Sequence, residues 1–102
     1  MAEKTIQLRR YEVKPEEWDA FLAWWSEHIP PLRSGFGFTI EFAYADQEHH
    51  QFVWAVSLPG DADAFREIEQ RYIHSDERAR VFEGVPQRVE RQTVSLIEPF
   101  VG

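Results

Sequence analysis

The sequence predicts an α+β domain with the element order β-α-β-β-α-β, and three observations carry that prediction. Apolar residues recur at helical spacing between residues 18 and 29. Large apolar residues alternate strictly between 36 and 44. Residues 51–58, QFVWAVSL, form a nearly unbroken apolar run bounded by turn residues, the pattern of a strand covered on both faces. The 102 residues are expected to make one domain, 1–102, because no linker, repeat or low-complexity stretch divides them.

Residues 5–13, TIQLRRYEV, read as the first strand, with Ile6 and Leu8 on one face and Tyr11 and Val13 on the other. Arg10 and Tyr11 are adjacent and so point to opposite faces. Pro15 suits the first turn of a helix, where its missing N–H costs nothing, and Glu16 and Glu17 complement the positive end of the helix dipole. Trp18, Phe21, Leu22, Trp25 and Ile29 then line one helical face. Pro30-Pro31 is expected to end that helix, because the residue before a proline avoids the helical region.

A second strand is expected over GFGFTIEFAYAD, residues 35–46. Phe36, Phe38, Ile40, Phe42 and Tyr44 would share one face, and Gly37, Thr39, Glu41 and Ala43 the other. The polar ADQEHHQ turns the chain into the third strand, QFVWAVSL. Pro59-Gly60-Asp61 ends it, with Asp61 placed to cap a second helix carrying Phe65, Ile68 and Tyr72. Ser75 or Asp76 caps a further short turn through Phe82. After Gly84-Val85-Pro86, residues 88–98 form the last strand.

A four-stranded antiparallel sheet with both helices on one face is the ferredoxin-like solution to this order. The helices cover one face only, so the third strand needs a second cover. Phe52, Trp54 and Val56 form one set on that strand and Val53, Ala55 and Ser57 the other. Either set suits the helix side: the smaller allows close packing, the larger makes a core.

Composition narrows the function classes. The apolar and charged fractions, 43% and 28%, are those of a globular chain. Aromatic residues make up 15%, including four Trp and eight Phe, and each buries roughly 150–250 Å². A chain this short has a modest core, so the excess points to a partner subunit or a ligand pocket. The net charge of −7 argues against nucleic acid, whose phosphates demand a basic footprint, and against anionic membrane surfaces. The absence of cysteine removes disulfides and thiolate chemistry. MAEKTIQLRR at the start lacks the apolar core of a signal peptide. No apolar run approaches the roughly 18 residues of a membrane span, and a cytoplasmic location is expected.

Several short motifs resemble the NIPSNAP family, within the dimeric α+β barrel superfamily. They are Arg10-Tyr11-Glu12-Val13 leading into Pro15, Trp24-Trp25 in the helix, Gly35-Phe36, Phe52-Val53-Trp54, and the closing Glu98-Pro99. The resemblance covers nearly the whole chain. It implies a homodimer in which two sheets pack face to face into a barrel, which would cover the second face of QFVWAVSL. It brings no settled set of catalytic residues. Distant relatives with this architecture include monooxygenases and isomerases, an analogy of fold.

The candidate site residues are Trp24, His28, Arg33, Glu41 and Trp54. Trp24 and His28 sit one helical turn apart, off the apolar stripe. They wall a pocket or, more plainly, pack at a subunit edge or over a loop. In the pocket-wall reading His28 would supply an imidazole, the side chain whose ordinary range lies nearest neutral pH. Arg33 is able to hold a carboxylate bidentately, or else to bond carbonyls at the helix end. Glu41, if held in an apolar barrel, would have a raised pKa and serve as a general base; the plainer expectation is a partner for Arg9 or Arg91, or an edge position reaching water. Trp54 is a barrel wall if its set faces away from the helices. His49-His50 beside Asp46 and Glu48 does not make a metal site, since adjacent turn residues seldom converge on one ion. His74-Ser75-Asp76 reads as helix-end capping rather than a triad, and no cofactor fingerprint is present.

The expected function is a homodimeric small-molecule-binding or interaction module taking a small apolar or aromatic ligand. The alternative is a cofactor-independent monooxygenase or isomerase acting on an aromatic or polyketide-like substrate, with Glu41, His28 or Arg33 polarising or deprotonating it.

Overall fold

The computed structural model describes residues 3–100. Strands β1 (Lys4–Val13), β2 (Thr39–Asp46), β3 (Gln51–Pro59) and β4 (Val89–Ile97) form one antiparallel sheet in the order β2-β3-β1-β4. Helices α1 (Trp18–Gly35), α2 (Ala62–Ile73) and α3 (Asp76–Phe82) complete the chain, with a 3-10 turn at Pro15–Glu17. The fold is ferredoxin-like.

Register decides which side chains meet the helices. Directly opposed residues point to the same face, and β1 opposes β3 as Gln7–Val56, Arg9–Trp54 and Tyr11–Phe52. Of these, Tyr11, Phe52, Trp54 and Val56, with Leu58 and Val13, join Trp18, Phe21, Trp25 and Ile29 of α1 and Phe65 and Tyr72 of α2 in the buried core. The larger set of β3 therefore faces the helices. Trp54 is 1% exposed and meets the rings of Trp25 and Tyr11 edge-on at 5.1 and 6.1 Å. The opposite face carries Ile6, Leu8 and Arg10 of β1 and Val53, Ala55 and Ser57 of β3, and no helix covers it.

Two sequence expectations are corrected. The helix does not stop at Pro30-Pro31: α1 runs through both to Gly35. A proline inside a helix removes one backbone hydrogen bond, and here the freed carbonyls belong to Ser26 and Glu27, both exposed residues that water can serve. In return the extra turn buries Arg33, whose carbonyl accepts from the N–H groups of Phe36 and Phe38 at 3.0 and 3.1 Å.

The second strand begins at Thr39, not Gly35, because Gly37 turns the chain with φ of +89°, a conformation glycine adopts without strain. Nor do its five large residues share one face. The register shifts between Ile40 and Phe42, so Glu41 bulges and every later side chain changes sides. Ile40, opposite Val56, packs on the core. Phe42 and Tyr44, opposite Ala55 and Val53, lie on the helix-free face, where Tyr44 is 69% exposed.

The remaining elements follow expectation. The Asp61 carboxylate caps α2 by accepting from the Ala64 N–H, and the Ser75 hydroxyl caps α3 by accepting from the Arg78 N–H.

Candidate functional site

A cavity of about 370 Å³ lies on the helix side of the sheet. Arg9, Tyr11 and Trp54 rise into it from the sheet, and Trp24, Trp25 and Arg33 descend from α1. Tyr72, Arg78 and Phe82 close one side from α2 and α3, and residues 85–92 close another. The cavity exists because the helices do not reach across to β4, whose helix-side Val94 and Leu96 stay exposed.

Arg33 is the distinctive group. It is 3% exposed, with Nε and Nη1 buried and without any acceptor. Its guanidinium carbon lies 4.1 Å from the ring centre of Tyr72, 4.6 Å from that of Phe38 and 5.2 Å from that of Trp54. Ring faces attract a cation but leave its N–H donors unmet. Burial pulls the Arg33 pKa below its ordinary value, with the nearby Arg9 acting in the same direction.

Two further arginines flank it. Arg9 is oriented by neighbours: Nε donates to the Tyr11 hydroxyl at 2.8 Å and Nη1 to the Gln7 carbonyl oxygen at 2.7 Å. Its Nη1 is also 3.7 Å from the Glu69 carboxylate. Arg78 stacks at 4.1 Å on Phe82 and 5.7 Å from Tyr72, and its buried Nε has no acceptor. The indole N–H groups of Trp24, Trp25 and Trp54 are likewise buried and unpaired. Among the described residues, then, every buried side-chain polar atom lacking a partner is an N–H donor, and every one belongs to a cavity wall.

The sequence candidates divide. Trp24, Arg33 and Trp54 converge on the cavity. Trp24 packs 5.0 Å from Phe82 as part of the cavity wall, and Arg33 does not spend its donors on helix-end carbonyls. Trp54 lines the cavity from the helix side. His28 is not among the lining residues; it is partly exposed beside Glu27, 3.6 Å away.

Glu41 is on the other face of the sheet. It accepts from the Ser57 hydroxyl at 2.6 Å and Lys4 Nζ at 3.0 Å, and those bonds, the Ser57 one foremost, lower its pKa. The raised pKa expected of a general base is thus reversed, and its cationic partner is Lys4 rather than Arg9 or Arg91. His49 pairs with Asp46 at 2.9 Å; among the described residues no three His, Cys, Asp or Glu side chains are grouped to hold a metal.

Sequence reading missed Arg9, Tyr72, Arg78 and Phe82. Helical spacing did hold one signal: Arg33 stands four residues after Ile29, on the apolar stripe of α1 once the helix is continued through the prolines.

No helix among the described residues is long and apolar enough to cross a membrane. No family model and no curated protein sequence matches the chain. Solved structures do. A NIPSNAP family protein from Agrobacterium tumefaciens superposes with a TM-score of 0.83 at 9% identity, covering 96% of this chain and 94% of that one. An uncharacterized NIPSNAP domain protein from Burkholderia xenovorans gives 0.80 at 10% identity, covering 94% of each chain. A protein from Bacteroides thetaiotaomicron put forward as an antibiotic biosynthesis monooxygenase gives 0.72 at 17% identity, covering 97% of this chain and 91% of that one. At such identities the likeness is one of fold, and it bears out the resemblance in the sequence motifs at that level: the chain has the fold of the NIPSNAP family proteins.

Proposed function

We propose that this is a cytoplasmic, homodimeric small-molecule-binding protein whose ligand occupies the cavity between the helices and the sheet. The observation that carries the reading is the cavity itself, about 370 Å³ and walled by Trp24, Trp25, Trp54, Tyr11 and Phe82. Its size is that of ligand sites, and its lining combines these rings with polar and charged side chains in about equal measure. The charged lining residues are Arg9, Arg33, Arg78, Arg88 and Arg91 with one carboxylate, Glu90; arginines stay protonated and so hold a ligand rather than shuttle protons. That favours binding over acid–base catalysis. A cysteine-free acidic chain needs no oxidising compartment, in keeping with the cytoplasm.

The homodimer is supported by the helix-free face, where Ile6, Leu8, Val53 and Phe42 are only half-buried and Tyr44 is exposed. A second copy's sheet is a cover of matching apolarity, and the cavity lies on the opposite face of the sheet.

Thermal-shift screening of small aromatic compounds tests the binding reading. A ligand that binds only the native state at 100 times its Kd stabilises by about 2.7 kcal/mol. Hits are expected to lose their effect in Trp24→Ala, and hits indifferent to that change would place the ligand elsewhere. The monooxygenase reading rests on fold analogy to the Bacteroides protein; oxygen uptake with a bound hydroxylated aromatic would raise it above the binding reading.

A further inference from the structure

We infer that the ligand of this cavity is an acceptor-rich organic acid: an aromatic body bearing a carboxylate, held by Arg33 with Arg78 and the tryptophan N–H groups. The inference rests on the binding reading above and narrows it to a chemical class.

The unmet groups are all of one kind. Nε and Nη1 of Arg33, Nε of Arg78, and the indole N–H of Trp24, Trp25 and Trp54 are buried donors without acceptors. Burying a polar group unpaired is costly, and burying a charge more so, so six such atoms on the residues around one cavity call for something that supplies acceptors. Water supplies them weakly to a cation. An anion supplies them and also neutralises charge.

Two of the arginines have no ion pair of their own. Arg9 has Glu69 nearby at 3.7 Å, Arg88 is paired with Glu17 at 3.0 Å and Arg91 lies 3.7 Å from Glu12. Arg33 and Arg78 have no carboxylate partner among the described residues, although the whole chain carries a net charge of −7. Both lie against the Tyr72 ring, 4.1 and 5.7 Å from its centre, and both line the cavity, so an anion held there is drawn by both.

Carboxylate is the favoured anion because a planar guanidinium presents two edges, each of which pairs with two oxygens. Each edge of Arg33 contains one of its unpaired nitrogens. The rest of the ligand follows from the walls. Trp24, Trp54 and Phe82 offer ring surface for an aromatic body, and the three indole donors match hydroxyl, carbonyl or ether oxygens on it.

Calorimetry with the purified full chain tests this on a matched set: 3-hydroxy-2-naphthoate, its neutral amide 3-hydroxy-2-naphthamide, 2-methoxynaphthalene and inorganic phosphate. The acid is expected to bind at least tenfold more tightly than the amide. Arg33→Met should weaken the acid tenfold or more and leave the amide within twofold. Trp24→Phe, which keeps the ring and removes one donor, should weaken the acid severalfold; circular dichroism verifies that each variant is folded. Equal affinity for acid and amide, or an acid affinity untouched by Arg33→Met, overturns the inference. Binding of amide and methoxynaphthalene without the acid overturns the acid class and leaves the cavity reading standing. Phosphate binding as tightly as the acid overturns the aromatic body. Binding of none of the four at millimolar concentration overturns both the class and the binding reading.

Discussion

The Arg33 guanidinium lies 4.1 Å from the ring centre of Tyr72, buried beneath α1 with two nitrogens that no protein atom accepts from. A structural arginine would have those nitrogens paired. Stacking on three rings recovers part of the desolvation cost, but the unmet donors and the lack of a direct ion pair remain.

Arg33→Met is therefore expected to raise the stability of the ligand-free protein by about 1 kcal/mol or more, since a buried charge replaced by an apolar side chain of similar length is often neutral or stabilising. Urea unfolding measures it. For a domain this size 1 kcal/mol corresponds to roughly 4–8 °C in midpoint. A loss above about 2 kcal/mol would mean that Arg33 serves the fold and not a ligand.

The two faces of the sheet predict opposite behaviour. Trp54, 1% exposed in the core, should cost about 3–5 kcal/mol when cut to alanine, and Trp54→Asp should unfold the chain. Tyr44→Asp on the helix-free face should leave the monomer folded and abolish association. Light scattering at micromolar concentration reads this: the native protein is expected at twice 12.1 kDa and the variant at 12.1 kDa. A native species of 12.1 kDa would end the dimer proposal.

Pro31 is exposed within α1. Pro31→Ala restores a helical hydrogen bond and relieves a ring clash, a gain of up to about 3 kcal/mol in a helix interior. The freer unfolded chain takes back about 0.4–1 kcal/mol. A net rise in the urea midpoint is expected, with cavity binding unchanged; a fall would show that the prolines hold the terminal turn, and Arg33 with it, in place.

Glu41 titrates below the ordinary carboxylate range, mainly through the Ser57 hydroxyl and then Lys4. The sign follows from linkage: a carboxyl whose folded pKa is depressed stabilises the protein above its unfolded pKa, and that contribution is lost as pH falls through the folded value. Ser57→Ala should move the Glu41 pKa upward, read from its side-chain carbonyl shift by NMR titration. The acid limb of the stability profile should then flatten. An unchanged pKa would assign the shift to Lys4 alone.

Much of the fold was legible because periodicity reports local geometry. The alternation of β1, the stripe from Trp18 to Ile29, and the caps at Asp61 and Ser75 are each set by residues within one or two turns of chain. The misreadings were also local rules, overruled from a distance. Pro30-Pro31 would end an isolated helix, but the turn beyond them is held by Leu32 packed on the core and by the Arg33 carbonyl accepting from Phe36 and Phe38. Strict alternation from Phe36 to Tyr44 would make one apolar face, but the bulge at Glu41 splits it between the core and the helix-free side.

The site was legible only in part. Trp24, Arg33 and Trp54 stood out by residue type, yet nothing in one dimension brings Arg9, Tyr72 and Arg78 beside them. They lie 24, 39 and 45 positions from Arg33 along the chain and meet because β1 pairs with β3 and α2 folds back across that sheet. Residue order by itself determined the element types, the ferredoxin-like topology and an excess of aromatic surface, since these follow from period and composition. Only the tertiary structure decided which face of QFVWAVSL the helices cover, and where the unpaired donors gather. Those depend on strand register and on one bulge, where a shift of a single residue turns every later side chain to the opposite face.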